Sequence, residues 1–489
     1  MNSENLQTKW GQFISLVTVF FFWGFVGSAN DILIPVFKKV FTLSQVQSQL
    51  VAWAFYAAYF VGSIIFFLVS LKSDVLQKFG YKKTLAAGLS VSAIGSFLFV
   101  PAATMESFPF FLTALFTVGL GFSIQQIVAN PLAIKMGSPA TGAHRLTLAG
   151  GVNSFGTTIG AILLGIALFG MGSSSETTLS LEDIKLPFVI LGFAFILVAL
   201  FMLFSKIEDP AKEEEIKIEA GNKKFAIKDY PQLYLGMIAI FIYVGTEVTI
   251  ISNLPALLKT AEFGNILEEA IPPFIALYWG SLMIGRWNGG VNVFNTSKAT
   301  NMLLKFIVPA LAFGVIILTN IFAEHNVDAF YIYPIWILIF ILISFIGGKN
   351  AGKTLMLFGV SGLLMMLIGL VYPDREIAKF FFISGGLFLS IMWPSIFDLA
   401  IAGLGKNTGK ASSFLIMMIL GGGVIPLIQG RICDFDLTNP EGIMGISWTH
   451  FSYTIPLLGF GYLAFYGFYC PKILKKQGVF HVESEGGAH

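Results

Sequence analysis

Two acidic residues lie inside long apolar segments, where a charged side chain is costly. Asp31 lies in the segment FFFWGFVGSANDILIPVF, and Glu247 lies in YVGTEVTIISNLP, in the other half of the chain. A carboxylate in hydrocarbon costs about 2.5–3.5 kcal/mol on insertion scales, and such residues usually face an internal cavity. Two buried acids in a two-halved chain of membrane helices therefore indicate ion-coupled transport.

These two acids do not by themselves decide the coupling ion. A proton-coupled carrier needs a carboxyl that binds a proton on one side of the membrane and releases it on the other. A sodium-coupled carrier needs a carboxylate beside oxygen dipoles, so a sodium site near Asp31 or Glu247 is the second possibility. Asp31 could instead cap the external end of its helix beside Pro35. Glu247 could be a hydrogen-bonded anchor between helices or the partner of Arg286.

The composition is that of a polytopic membrane protein rather than a globular enzyme. Mean hydropathy is +0.78, and 55% of the residues are hydrophobic while 12% are charged. The sequence contains no Walker, HExxH or GxSxG element, and its two cysteines, Cys433 and Cys470, exclude a disulfide framework. We therefore expect no enzymatic activity, no cofactor, no metal other than a coupling cation and no nucleic-acid partner.

Apolar runs of about twenty residues are each long enough to cross about 30 Å of hydrocarbon. They lie near 12–34, 47–71, 82–103, 109–133, 146–171, 187–205, 231–258, 272–294, 300–322, 329–347, 354–372, 378–403, 411–430 and 450–470. The sequence thus predicts about 14 transmembrane helices. An N-terminal six-helix bundle (1–205) and a C-terminal bundle (231–489) would be joined by a charged cytoplasmic linker (206–230).

The distribution of basic residues supports an even number of helices. With both termini in the cytoplasm, only seven of the 30 Lys and Arg residues fall on the external side. These seven are Lys38, Lys39, Lys185, Lys259, Arg375, Lys379 and Arg431. Because cytoplasmic loops carry an excess of Lys and Arg, we expect a multi-pass protein with both termini cytoplasmic.

The two halves look like weak internal repeats. KKTLAAGLSVSAIGSFLFVP (82–101) is similar to GKTLMLFGVSGLLMMLIGLVYP (352–373). This correspondence leaves the helices near 300–322 and 329–347 without counterparts in the first half. We interpret 300–347 as a helical hairpin inserted into a six-plus-six architecture.

Several stretches of the chain resemble the fucose–galactose–glucose:cation symporters of the major facilitator superfamily. The matching phrases are NDILIPVF (30–37), FYAAYFVGS (55–63), GYKKTLAAGL (80–89), ANPL (129–132), RLTLAGGVNSFG (145–156), YVGTEV (243–248), GRWNGG (285–290), SIMWPSIFDLAI (390–401) and SSFLIMMILGGGVIPLIQG (412–430). They span nearly the whole chain in the family's order, apart from the inserted hairpin. The resemblance implies an all-α fold of two six-helix bundles that rock about a sugar site between them.

The resemblance also implies roles for individual residues. The family's first-helix Asp falls on Asp31, whereas the fourth-helix Glu of the L-fucose/proton permease falls on Gln126. The fucose-type coupling pair is therefore incomplete here. Glu247 matches an acid of the glucose/galactose branch, in which the fourth-helix position is commonly Gln. The resemblance favours an aldohexose such as glucose, galactose or mannose, with Asp31 and Glu247 as the ion-coupling residues.

A sugar is a ring of hydroxyls with one apolar face, so its site needs amides and an aromatic plane. Most of the candidate amides lie on the fourth and fifth helices, which the family uses for sugar, and Gln126 and Asn130 are one turn apart on one face. The candidate substrate-binding residues are Gln125, Gln126, Asn130, Asn153, Asn253, Trp53, Tyr56 and Trp393. Interhelical hydrogen bonding is the alternative role of the amides, and packing is that of the aromatic residues.

These observations predict a secondary active transporter of the bacterial inner membrane. It would take up a hexose together with protons or sodium ions by alternating access, with a small sugar and the lipid bilayer as partners and no need for an oligomer. L-fucose or an amino sugar is the alternative substrate. A drug or metabolite exporter and a non-transporting membrane sugar sensor are the alternatives from other functional classes.

Overall fold

The computed structural model describes most of the chain. The described residues are 7–42, 45–72, 75–169, 181–209, 225–267, 270–294, 296–348 and 350–479. Within these ranges, the side chains of 28–36, 38–39, 45–49, 52, 161–169 and 183 are not described. Residues 210–224 of the predicted linker therefore lie outside the described part, and so does the side chain of Asp31.

The described chain is helical, and the only ladder pairing within it is an isolated bridge between Ile443 and Ile446. Its α-helices, in chain order, are α1 (Trp10–Val40), α2 (Gln45–Lys72), α3 (Val75–Phe97), α4 (Phe99–Thr104), α5 (Phe108–Lys135), α6 (Gly142–Phe169), α7 (Glu182–Phe204), α8 (Pro231–Leu258), α9 (Pro272–Gly290), α10 (Lys298–Phe322), α11 (Pro334–Gly347), α12 (Ala351–Val371), α13 (Arg375–Ile383), α14 (Gly385–Leu389), α15 (Met392–Ile401), α16 (Thr408–Met417), α17 (Gly421–Cys433), α18 (Phe435–Thr438), α19 (Trp448–Phe451) and α20 (Thr454–Lys476). A helix satisfies its own backbone hydrogen bonds, which hydrocarbon cannot do, so this is the structure that the apolar runs require.

Twelve helical stretches of the described chain are long and apolar enough to cross a membrane. Of the predicted segments, α6 and α9 are the two that fall outside these twelve. The side chains of 161–169, in the second half of α6, lie outside the described residues, and α9 carries the polar residues Arg286 and Asn288. The prediction of an all-α membrane protein is thus confirmed, whereas the predicted number of about 14 helices is only approximate.

The helices pack as two groups, α1–α7 and α8–α20. In the first group, α1 packs on α6, and α3 packs on α5 and α7; in the second, α12 packs on α20, and α8 packs on α17 and α20. The two groups meet mainly where α6 crosses α9 and where α2 crosses α16. Side chains at these two crossings therefore form the largest contacts through which one group can act on the other.

The depth of burial differs strongly between the helices. In the span Arg375–Ile401, which contains α13 to α15, 89% of the most apolar window is buried, whereas the value for α10 is 22%. The span that contains α13 to α15 therefore lies at the centre of the second group of helices, and α10 lies at the periphery of that group. The helices α10 and α11 occupy the segment predicted as the inserted hairpin, and the bundle boundaries around it stay predictions.

The start of α3 is built around a glycine that no other residue could replace without strain. Gly80 has φ 79° and ψ 167°, outside the helical region. Asp209, just after α7, accepts a hydrogen bond from the backbone N–H of Tyr81 (2.9 Å). A Cβ at position 80 would lie 1.9 Å from the Asp209 carboxylate oxygen. The chain after α7 is thereby attached to the beginning of α3.

Candidate functional site

Glu247 lies on α8 within a group of polar side chains. The Tyr243 hydroxyl, one turn earlier, donates a hydrogen bond to the Glu247 carboxylate. The Arg286 guanidinium on α9 lies 3.9 Å from the same oxygen, Oε2. Tyr278 donates to the backbone carbonyl of Glu247 (2.8 Å). The side chains of Arg286 and Glu247 are only 18% and 14% exposed, so the pair is largely shielded from solvent.

Arg286 also contacts the first group of helices. Its Nη1 donates to the Ser154 hydroxyl on α6 (2.9 Å). The next residue, Trp287, donates from Nε1 to the Gly151 carbonyl oxygen (3.1 Å). A Cβ at Gly151 would lie 2.7 Å from the Trp287 ring, so a glycine allows the two helices to approach this closely. The α6–α9 crossing thus connects the carboxylate of the second group to the first group.

The sequence-predicted partner of Glu247 in ion coupling was Asp31. Asp31 belongs to α1, but its side chain lies outside the described residues. Its predicted role in ion coupling stays a prediction. Among the residues that the structure describes, no group of three or more His, Cys, Asp and Glu side chains could hold a metal ion.

The two neighbouring glutamines of α5 have different surroundings. Gln125 is fully buried; its Oε1 accepts from Trp23 Nε1 (2.7 Å), and its Nε2 donates to the Ser92 hydroxyl (2.8 Å). Both ends of this amide are therefore engaged by the first group of helices. Gln126 is partly buried and donates to the Tyr59 hydroxyl on α2 (2.8 Å). Of the two amides, Gln126 is the one more available to a ligand.

Asn130 and Asn153 are the other two candidate amides of the first group. Asn130 is buried, and its Nδ2 has no hydrogen-bond partner among the described residues. A buried amide without a partner is costly, so this amide is a candidate for a water or ligand contact. Asn153 lies on α6 beside Ser154 and donates to the backbone carbonyl of Phe20 on α1 (3.0 Å). Asn153 thus helps to join α6 to α1 at the level of the α6–α9 crossing.

Asn253 lies on α8 in a separate polar cluster. Its Nδ2 donates to the Gln429 side chain on α17, and the Cys433 thiol donates to its Oδ1 (3.7 Å). Gln429 in turn donates to Ser452 (3.0 Å). These contacts are the interhelical hydrogen bonds that the sequence leaves open as the alternative role of its amides. The structure thus separates Asn253 from the Gln126 and Glu247 contacts.

The aromatic candidates lie on opposite sides of the boundary between the two groups. Tyr56 on α2 faces Gly422 on α17, where an added Cβ would lie 3.0 Å from the Tyr56 ring. An added Cβ at the next residue, Gly423, would lie 3.8 Å from the Trp53 ring. Trp393 on α15 has its ring centroid 6.0 Å from that of Tyr243. Trp393 therefore packs near Tyr243, which itself donates to the Glu247 carboxylate.

Sequence reasoning did not identify all members of this network. The spacing of four residues between Tyr243 and Glu247 gave a usable signal, because such residues are neighbours on a helix. The sequence offers Arg286 as a possible partner of Glu247, but it does not indicate the contact of Arg286 with Ser154. Ser154 follows Asn153 in an apolar, small-residue stretch, and nothing in that stretch indicates a cationic partner.

The helical fold and the paired groups of helices agree with a comparison of the chain with protein families. Residues 13–426 match the family described as Major Facilitator Superfamily. The chain belongs to the Major Facilitator Superfamily. It is therefore a multi-pass membrane protein of the lipid bilayer and not an enzyme.

The names of two relatives of this chain include sugars. The glucose/galactose transporter of Brucella abortus is 31% identical over 454 residues, which cover 93% of this chain and 92% of the relative. The L-fucose-proton symporter of Haemophilus influenzae is 27% identical over 502 residues, which cover 97% of this chain and all of the relative. The resemblance predicted from the short phrases is confirmed, and the chain is more similar to this glucose/galactose transporter than to this fucose symporter.

The fold is also similar to solved structures. The crystal structure of the Escherichia coli fucose:proton symporter aligns with a TM-score of 0.67 and 22% identity, covering 94% of this chain and 98% of the symporter. A second crystal structure of the same symporter, in the outward conformation, aligns with a TM-score of 0.68 and the same identity and coverage. At this identity the likeness supports the fold.

Proposed function

We propose that this superfamily member is a secondary active symporter that takes up a hexose, such as glucose or galactose, with an ion. The observation that carries the proposal is the Glu247 carboxylate, which is shielded from solvent and linked through Arg286 to the opposite group of helices. A carboxylate in this position is costly, and acids at such positions usually mark substrate or ion pathways. A contact between the two groups of helices is where alternating access is controlled. The names of the relatives support a sugar as the substrate.

Under this proposal, the two groups of helices rock about a sugar held between them. Asp31 and Glu247 are the ion-coupling residues, and Gln126, Asn130 and Asn153 supply amides that donate to and accept from sugar hydroxyls. Trp53, Tyr56 and Trp393 are the aromatic planes available to the apolar face of the sugar. Gln125 and Asn253 take a structural role, because their amides already bind neighbouring helices.

The proton is the coupling ion that we propose first. The support is the name of the fucose relative, a proton symporter. We place both termini and the charged linker in the cytoplasm, in the bacterial inner membrane, because the basic residues concentrate on that side.

Uptake by the purified protein in proteoliposomes tests the proposed function. Labelled glucose, galactose, mannose, L-fucose and an amino sugar are each offered with an imposed inward proton gradient, an inward sodium gradient or no gradient. We expect concentrative uptake of at least one aldohexose with the proton gradient. Accumulation of only L-fucose or the amino sugar would replace the hexose. Sugar binding without transport would indicate a sensor, and neither binding nor uptake would favour an exporter of another solute.

A further inference from the structure

Arg286 joins the candidate coupling acid to the other group of helices. Its Nη2 lies 3.9 Å from the Glu247 carboxylate, and its Nη1 donates to the Ser154 hydroxyl (2.9 Å). A guanidinium is always charged and has donors only. In a shielded position its orientation is therefore set by the acceptors available to it, which here come from both groups of helices.

A proton on Glu247 would act differently on its two neighbours. Tyr243 donates to the carboxylate, but a hydroxyl can also accept, so it can keep its contact with a protonated carboxyl. Arg286 cannot accept a hydrogen bond, and it would lose its counter-ion. Removing one member of a shielded charge pair leaves the other uncompensated, at considerable cost. Protonation of Glu247 should therefore displace Arg286 and leave Tyr243 in place.

The α6–α9 crossing extends to the end of the bundle at which α1 begins. Trp10, the first residue of α1, stacks on Phe294, just after α9, with 5.1 Å between the ring centroids. Lys9 N–H donates to the carbonyl of Met136 (3.0 Å), just before α6. At this end of the crossing, added Cβ atoms at Gly289 and Gly290 would lie 2.9 Å from side chains of Thr147 and Leu148 on α6. A change at Arg286 thus acts on a tightly packed contact that must separate if the protein opens toward this end.

We propose that Arg286 is a positioning residue which the transported proton displaces, so that ion binding releases the α6–α9 crossing. This inference rests on the proposed function, because it assigns the coupling step of that symport. A proton from the external solution binds a carboxyl oxygen of Glu247, and Arg286 leaves Glu247. The crossing loosens, and the end of the bundle at which α1 begins opens. Arg286 then returns to Glu247, and the proton passes to the solution on that side.

The charged and titratable groups around Glu247 are few among the described residues. Tyr243, Tyr278 and Arg286 are the ones that contact it. The acidic, cysteine and tyrosine groups on the other helices packed against α8 and α9 have contacts elsewhere: Asp398 beside Gly142, Cys433 at Asn253, Tyr453 at the Ile250 carbonyl, Tyr462 at the Leu235 carbonyl and Tyr466 at the Gln232 carbonyl. The basic groups on these helices also have contacts or positions elsewhere: Arg145 at the Ala133 and Ile134 carbonyls, His144 in the first turn of α6, Lys305 at the Ser344 carbonyl, Arg375 at the Tyr372 carbonyl, Lys379 at Glu376, Lys410 in the first turn of α16, Arg431 at Asp434, His450 at Glu262, Lys472 over the Phe468 ring, and Lys475 and Lys476 in the last turn of α20. Arg286 is therefore the cation that competes with a proton for Glu247.

Neutralising and charge-retaining variants of Arg286 test the role of its charge. Proteoliposomes carry the wild type, Arg286→Gln, Arg286→Lys or the control Ser90→Ala, a serine of α3 that binds the Ala86 carbonyl of its own helix. Proton-driven accumulation should fall about tenfold or more in Arg286→Gln, because nothing then drives the proton off Glu247. Sugar counterflow, which needs no net proton movement, should persist. Arg286→Lys should retain part of the accumulation, and Ser90→Ala should retain all of it.

The pH dependence of counterflow separates a coupling role from a structural one. The wild-type rate should fall as the pH rises, because Glu247 must be protonated for the crossing to release. An adjacent cation favours the carboxylate. In Arg286→Gln the fall should therefore move to higher pH, by about one unit or more. A merely structural residue would change the rate without moving this profile.

A double variant keeps the test valid if Arg286→Gln does not purify as a monodisperse protein. Glu247→Gln/Arg286→Gln contains no unpaired charge at this site. If Arg286 acts through Glu247, the double variant should show the same counterflow as Glu247→Gln alone. A further tenfold loss in the double variant would mean that Arg286 has a role independent of Glu247.

Wild-type accumulation driven by sodium and not by protons would overturn the inference. So would proton-driven accumulation by Arg286→Gln at the wild-type level, or an unchanged pH profile in that variant. Each of these results leaves the proposed hexose uptake standing, because the wild type still accumulates sugar. If the wild type accumulates none of the tested sugars with either gradient, the proposed function is wrong and the inference falls with it.

Discussion

Gln125 and Gln126 are adjacent in the sequence but lie on different faces of α5. Gln125 binds Trp23 and Ser92 inside the first group of helices, and Gln126 binds Tyr59 on α2. Successive residues on a helix do not face the same neighbour. One amide can therefore hold the bundle together while the other remains available to a sugar, although the two side chains are chemically identical.

We expect Gln126→Leu to weaken sugar binding without preventing folding. An apolar side chain leaves sugar hydroxyls and Tyr59 without a partner, which costs about 1–3 kcal/mol, or roughly 5- to 150-fold in Kd. Binding of the transported sugar by isothermal titration calorimetry measures this change. The matched variant Gln125→Leu should lower the Tm instead and leave the Kd nearly unchanged. Wild-type affinity in Gln126→Leu would remove Gln126 from the sugar site.

We expect Asp31→Asn to abolish gradient-driven accumulation, because an amide cannot bind and release the coupling proton. Counterflow of labelled sugar should persist, since exchange needs no net movement of the ion. Proteoliposomes with and without an imposed proton gradient measure both activities on one preparation. Concentrative uptake at the wild-type rate by this variant would exclude Asp31 from the coupling mechanism.

At the scale of the helices, α3 depends on a residue from a distant part of the chain. The helix restarts after Gly80, and the backbone N–H of the next residue, Tyr81, donates to the Asp209 carboxylate. An acidic side chain at such a position caps the helix and interacts favourably with its dipole. The chain after α7 is thereby attached to the first part of α3.

We expect Asp209→Ala to lower the free energy of unfolding by about 1 kcal/mol, the usual cost of a lost cap. Gly80→Ala should cost more, because the added Cβ would meet Asp209 and the positive φ is strained for alanine. Thermal unfolding of the purified protein in detergent compares these variants. The control is Glu208→Ala, which removes an exposed contact with Lys9 and should leave the Tm near that of the wild type. Equal Tm values for Asp209→Ala and Glu208→Ala would refute the capping role.

At the scale of the whole molecule, the hairpin of α10 and α11 adds two helices to one side of the second group. Asn288 donates to the Lys305 carbonyl (2.9 Å), and the hydroxyls of Ser281 and Tyr333 are hydrogen-bonded (2.7 Å). The Phe340 ring packs near that of Phe358 on α12, at 5.3 Å between centroids. All of these contacts are within the second group, so the hairpin does not take part in the α6–α9 crossing through them.

We expect the transport core to function without this hairpin. A short polar linker that joins Ser297 to Gly348 should give a protein that inserts and transports. Its Tm should be lower, because Ser281 and Asn288 lose their partners and Phe358 loses a neighbour. Size-exclusion chromatography, sugar binding and proteoliposome uptake are measured on the deletion variant and the wild type. A monodisperse variant that binds sugar but does not transport it would show that the hairpin belongs to the moving machinery.

The class of protein and most of the helical segments follow from the amino-acid sequence alone. Apolar runs of membrane length exclude other structures, since only helices satisfy the backbone in hydrocarbon without a closed barrel. An acid within such a run is conspicuous, as Glu247 and Asp31 are. The contact between Tyr243 and Glu247 was also accessible, because it is local and follows from helical spacing.

Which side chains from distant parts of the sequence come into contact depends on the tertiary structure. Trp23 and Gln125 are 102 residues apart, Ser154 and Arg286 are 132 apart, and Asn253 and Gln429 are 176 apart. These helices are apolar around most of their circumference, so no amphipathic stripe indicates which face turns toward which neighbour. In a membrane, helix orientation is set by close packing of small residues and by interhelical hydrogen bonds. Such contacts depend on the whole arrangement of helices, and no single segment of the sequence specifies them.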